Sequence, residues 1–274
     1  ISCGTCQRAL PAIRDSAQMT PEEIADSLRR SVEIESGKPL VVFKDPAVSG
    51  HGSVRVATPD TAMHVLRYPP SADVQLPYLT AFHCGMLLRS LRAESPQRFD
   101  LVSTAAMRTE TQQLIQAHLK TSGADVPESL IPNLCSQLGD GLGIQLRSMP
   151  IAIRVDHWLW QQYPSLQELQ RTNVSRQLQE SMQTLGPSVR ALVPLRMLNA
   201  NLAMNCAFAM FWGELWGEPE LAVPYTLAGF EAAGRQLLEM VRSIDSHPNG
   251  DRQLVEQWAS HLNLTAWYRT VTKQ

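Results

Sequence analysis

Between residues 39 and 67 lie three short apolar-rich runs, the first uninterrupted and the other two mixed with polar positions. These are Pro39-Leu40-Val41-Val42-Phe43, Gly52-Ser53-Val54-Arg55-Val56 and Met63-His64-Val65-Leu66-Arg67. A period of two predicts strands with one face inward. The breaks, Ser49-Gly50-His51-Gly52 and Thr58-Pro59-Asp60, carry turn-forming residues. Upstream, Thr20-Pro21-Glu22-Glu23 is a helix start. Thr caps, Pro fits the first helical position, and Glu23 completes a capping box. Ile24, Leu28 and Val32 then recur four apart, predicting a helix to Glu35 that Ser36-Gly37-Lys38-Pro39 ends.

Beyond residue 76 the period becomes helical. Candidate helices cover 77–94, 104–122, 127–139, 152–162, 164–185, 188–213, 224–244 and 251–269. In the first, Leu79, Phe82, Met86 and Leu87 form an apolar stripe, with His83 offset from it. Gly139-Asp140-Gly141-Leu142-Gly143 lacks the Lys-Ser/Thr of a phosphate loop and follows no strand. It is expected to end the helix holding Leu134 and Leu138. The pattern predicts an α+β, mostly helical chain, with a small N-terminal sheet and packed helix followed by a helical C-terminal region. Residues 1–19 read as a tail or partial zinc-ribbon-like segment, 20–149 as a small α+β lobe and 150–274 as a helical region packed on it. Met149-Pro150 marks the expected boundary, where the composition turns Gln/Leu-rich.

Composition narrows the partners. The 274 residues are 44% hydrophobic, enough for a sizeable core. With 24 basic and 26 acidic residues the net charge is −2, which argues against nucleic acid or an anionic membrane as the main partner. The longest apolar stretch, residues 203–212, is too short to span a membrane and contains Asn205. The five cysteines, Cys3, Cys6, Cys84, Cys135 and Cys206, are odd in number and sparse. They point to a reducing compartment, and the expected location is cytoplasmic. Asn173-Val174-Ser175 and Asn263-Leu264-Thr265 match the glycosylation triplet but sit in helical patterns.

Three strands followed by a helix is the layout in which zinc peptidases carry His-Glu-x-x-His. Two His four apart share one helix face, and the intervening Glu reaches a metal-bound water as general base. Here the aligned residues are Phe82-His83-Cys84-Gly85-Met86. With this layout, and Gly85 at the fourth motif position, residues 20–125 resemble the small gluzincin-like peptidases of the ImmA/IrrE kind. The resemblance implies a zincin-like lobe in which Phe82 and Met86 stand where the His ligands would be, and His83 where the Glu would be. It therefore implies a pseudo-peptidase with no catalytic residues. Apolar residues at the ligand positions imply a cleft suited to a peptide or small ligand, with His83 as a ligand-binding polar group at its rim.

Other residues carry candidate chemistry. Cys3-Gly4-Thr5-Cys6 is half of a zinc ribbon, and a closed site needs two further ligands. Either Cys3 and Cys6 hold a structural zinc, or they belong to a tail with two thiols. Cys84 follows His83, but neighbours on a helix point about 100° apart, and its apolar surroundings predict an inert thiol. Asp156-His157 lacks the companion His pair of a metal-dependent phosphohydrolase. Trp158 and Trp160 cannot both face one way, so one is expected in the core and the other at a cleft or interface. Asn201 and Asn205 share one face of an apolar helix and need partners, in a pocket or a neighbouring loop. The functional expectation is a non-catalytic pseudo-peptidase scaffold or regulator binding a protein or small ligand. It needs no cofactor beyond any zinc at Cys3 and Cys6. The alternatives are an unrecognised metal-dependent hydrolase with scattered ligands, and a helical interaction domain with an N-terminal zinc-binding segment.

Overall fold

The computed structural model describes residues 19–48, 52–123 and 126–273, so Cys3, Cys6 and His51 lie outside the described residues. As the pattern predicts, the chain is α+β and mostly helical. It forms two compact units. Of the described residues, one comprises those up to Cys84 with Trp158–Gln170, the other those of Gly85–His157 and from Arg171 onward.

In the first unit, α1 (Pro21–Ser36) starts on the expected capping box. The Glu23 N–H donates to Thr20 Oγ1 (3.3 Å) and the Thr20 N–H to Glu23 Oε2 (2.8 Å). The helix buries Ile24, Ala25, Leu28 and Val32 and stops where Gly37 turns left-handed at φ 68°. Strands β1 (Leu40–Lys44), β2 (Ser53–Arg55) and β3 (His64–Tyr68) form one sheet in the order β1-β3-β2. β1 runs parallel to β3, and β2 antiparallel to it. The alternation of β3 sends His64, Leu66 and Tyr68 inward.

Helix α2 (Leu76–Arg92) begins in the first unit and ends in the second. Its buried positions include Leu79, Thr80, Cys84, Leu87 and Leu88. Phe82 and Met86, expected in that stripe, are only half-buried. The spacing 80, 84, 87, 88 defines the inward face and puts Cys84 at its centre, so Phe82 and Met86 fall on its flank.

The second unit holds a two-stranded antiparallel sheet that the hydrophobic pattern misses: β4 (Phe99–Ser103) pairs with β5 (Tyr268–Thr272). The helix expected to reach residue 269 stops earlier. Asn263 takes a left-handed φ of 57° and turns the chain into β5, so Asn263-Leu264-Thr265 lies in a turn. After α3 (Ala105–Ser122) comes α4 (Ile131–Gln162), one continuous helix where two were expected. It runs through Gly139-Asp140-Gly141 and through Pro150. Gly139 and Gly143 serve close packing. A Cβ on Gly139 would lie 2.5 Å from Met107 Sδ, and one on Gly143 would lie 2.7 Å from Tyr268 Cε1. The Tyr268 hydroxyl donates to the Gly139 carbonyl at 2.5 Å.

The remaining helices are α5 (Gln167–Met182), α6 (Pro187–Leu192), α7 (Leu195–Trp216), α8 (Val223–Leu227), α9 (Glu231–Ser243) and α10 (Gly250–His261). Two expected helices are each split: the first at Pro194, which precedes α7, and the second at Gly229, which has φ 88°. α7 is the core helix of the unit, buried without interruption from Leu202 to Gly213, and it packs along α9. No helix among the described residues is long and apolar enough to cross a membrane.

Candidate functional site

On α2 the two positions of interest lie one turn apart. The Phe82 ring packs 6.1 Å from Tyr78 and stands edge-on to the His83 imidazole at 5.3 Å and 76°. His83 is half-buried beside the entry to β2. There Gly52 has φ +89°, and an added Cβ would meet Arg67 O at 2.8 Å and His83 Nε2 at 3.6 Å. Only glycine fits here, because the left-handed backbone comes too close to the Arg67 carbonyl for a side chain, while His83 lies at ordinary contact distance. Cys84, next to His83, is fully buried, and burial pushes its thiol up to about 12. It is therefore a neutral, inert thiol at physiological pH. Burial likewise pushes Cys206 up to about 11 and raises Cys135.

A different histidine is the more constrained one. His64 is buried on β3, and its Nδ1 accepts the Ala57 N–H at 3.0 Å. Burial first, and then the Lys38 charge, hold its pKa below the usual histidine range. His157 is half-buried, edge-on to Phe211 at 5.8 Å, with its pKa lowered by burial and then by Arg242. Trp158 and Trp160 are both half-buried, and Leu159 between them is the core residue. Among the described residues no group of three or more His, Cys, Asp or Glu side chains is arranged to hold a metal ion.

A second arrangement lies within the helical unit. Asn201 and Asn205 do find partners, and the third member is Gln145 of α4. Gln145 Nε2 donates to Asn205 Oδ1 (2.7 Å), Asn205 Nδ2 to Asn201 Oδ1 (3.0 Å), and Asn201 Nδ2 to Gln145 Oε1 (2.7 Å). The three amides close a ring. Gln145 and Asn201 also line a groove of about 320 Å³ whose apolar walls include Leu138, Leu142, Val193 and Met197. No charged side chain lines it. The asparagine pair is legible from its spacing of four. Gln145 is not, because the expected helix break at 139–141 leaves it outside any element.

A third cluster is buried and ionic. Asp251 of α10 accepts from Arg89 Nε (2.7 Å), Arg89 Nη2 (2.7 Å) and Arg154 Nη1 (3.0 Å). Arg154 also donates to the carbonyls of Ile244 (2.8 Å) and Val241 (3.3 Å). These bonds tie α2, α4 and α10 to the end of α9. The chain matches no family model, no curated protein and no solved structure.

Proposed function

We propose that this chain is a non-catalytic recognition protein, its N-terminal α+β region a peptidase-like scaffold that holds a protein segment or small ligand on α2 without cutting it. The observation that supports this reading is on α2. Phe82 and Met86 occupy the two positions, one turn apart, at which a zinc peptidase needs imidazoles. A phenyl ring and a thioether do not supply zinc with the nitrogen ligands such a site uses. His83, between them, carries an imidazole where the chemistry calls for a carboxylate base. What the half-buried Phe82 and Met86 do offer is apolar surface, with His83 as a polar group beside β2. Apolar surface with a few fixed polar groups binds peptides and small ligands. A binder without turnover acts by occupancy, which is the sense in which the protein would be regulatory.

The test passes a random-sequence peptide library over the immobilised full chain, with and without EDTA. Retained peptides should elute intact under both conditions, and His83→Ala should lower retention. Cleavage that EDTA abolishes would make the protein a metal-dependent hydrolase and overturn the reading. Retention unchanged in His83→Ala would remove α2 from the binding surface.

A further inference from the structure

We propose that the groove between α4, α6 and α7 binds an uncharged peptide segment. Its aliphatic side chains would seat on Leu142, Val193 and Met197, and one of its amide groups would pair with the Gln145–Asn201–Asn205 ring. This site is separate from the α2 motif and does not rest on the reading of α2.

None of the 11 lining residues is ionisable. A charged ligand group would be stripped of water there with no counter-charge, a cost that selects neutral occupants.

A carboxamide has two N–H donors and two acceptor lone pairs. Each ring member spends one donor and one acceptor inside the ring. Gln145 and Asn201, which line the groove, keep one of each for a ligand, apart from a weak 3.9 Å approach of Gln145 Nε2 to Met149 Sδ. The complement of an adjacent donor and acceptor is another amide, in a side chain or a peptide bond. Asn205, 3% exposed, locks the ring from behind, so the recognising amides are already ordered before a ligand arrives.

The cavity is at the small end of the range for ligand pockets. Exposed apolar residues adjoin the lining residues in sequence. Ile144, next to Gln145, is 68% exposed, and Leu192 and Leu195, flanking Val193, are 38% and 65% exposed. A small cavity with an apolar rim fits a chain laid across it better than a compact molecule held inside it.

The experiment uses the full chain labelled with ¹³C-methyl methionine. Met197, buried in the groove wall, reports occupancy, and the remaining methionine methyls other than Met149, which touches Gln145, are controls. The probe is a pool of acetylated, amidated octapeptides built from Ala, Leu, Val, Gln and Asn. Matched pools carry Glu or Lys in place of Gln. The neutral pool should shift Met197, and the charged pools should bind at least about tenfold more weakly. Asn201→Leu, which removes one recognising amide and opens the ring, should weaken the neutral pool by at least about tenfold. Val193→Glu, at a half-buried wall position, should do the same without disturbing the ring. A Met197 signal unmoved by the neutral pool would overturn the proposal, as would equal shifts from the charged pools. A shift produced by 1-octanol but not by the peptides would make the groove a small-molecule pocket and reject the peptide assignment.

Discussion

Asp251 balances two guanidinium groups in a buried site. Its side chain is 6% exposed and that of Arg154 5%. Two positive groups on one carboxylate leave no spare anion, so the carboxylate cannot be given up. Asp251→Asn should destabilise the protein by about 3–5 kcal/mol, because buried charges lose their partner. Urea denaturation checks this, and a loss below about 1 kcal/mol would mean that the arginines find other acceptors. His64 makes a pH prediction at the same scale. Its folded pKa lies below its unfolded value of about 6.5. As pH falls through about 6.5 the unfolded chain takes up the proton first, so stability falls on acidification and is constant above that range. His64→Asn keeps an acceptor for the Ala57 N–H and removes the titration. Its stability should fall less steeply than the wild type between about pH 7 and 5. Equal slopes would show that His64 is not the group responsible.

At the level of elements, legibility follows the range of the interactions. α1 is readable because its capping box and its Gly37 stop are local to a few residues. The order of β1, β2 and β3 along the chain is readable from alternation, though their spatial order β1-β3-β2 is not. β4 and β5 escape because each is made by the other across most of the second unit. α4 escapes for a different reason. Gly139 and Gly143 are spaced four apart for contact with Met107 and Tyr268, and the same residues read as a helix stop when those neighbours are unknown. The two roles separate experimentally. Gly143→Ala drives a Cβ to 2.7 Å from the Tyr268 ring and should cost about 1–3 kcal/mol. Gly141→Ala, on the same helix with nothing within 4 Å, should stabilise by about 0.5–1 kcal/mol. Thermal unfolding of the two variants checks the sign of each. Matching effects would mean that α4 does not pack as described. At the candidate site, the spacing of Asn201 and Asn205 announces a polar face, but its closure through Gln145 depends on a helix the glycines conceal.

Across the whole molecule, two polar arrangements serve different ends. The Arg89–Asp251–Arg154 cluster is spent on the fold, with both guanidiniums held on the one carboxylate. The amide ring keeps unused donors and acceptors at the wall of a groove, as a recognition surface does. Neither is a metal site. On the proposed reading of α2 the positions that would make one hold Phe82 and Met86, so that reading stands or falls on binding without metal chemistry. Zinc stoichiometry tests it most directly. The full chain carrying Cys3→Ser and Cys6→Ser, which removes the N-terminal thiols, is equilibrated with zinc, dialysed and analysed by mass spectrometry. The account predicts no retained zinc. One zinc per chain that disappears in His83→Ala would place a metal on α2 and contradict it.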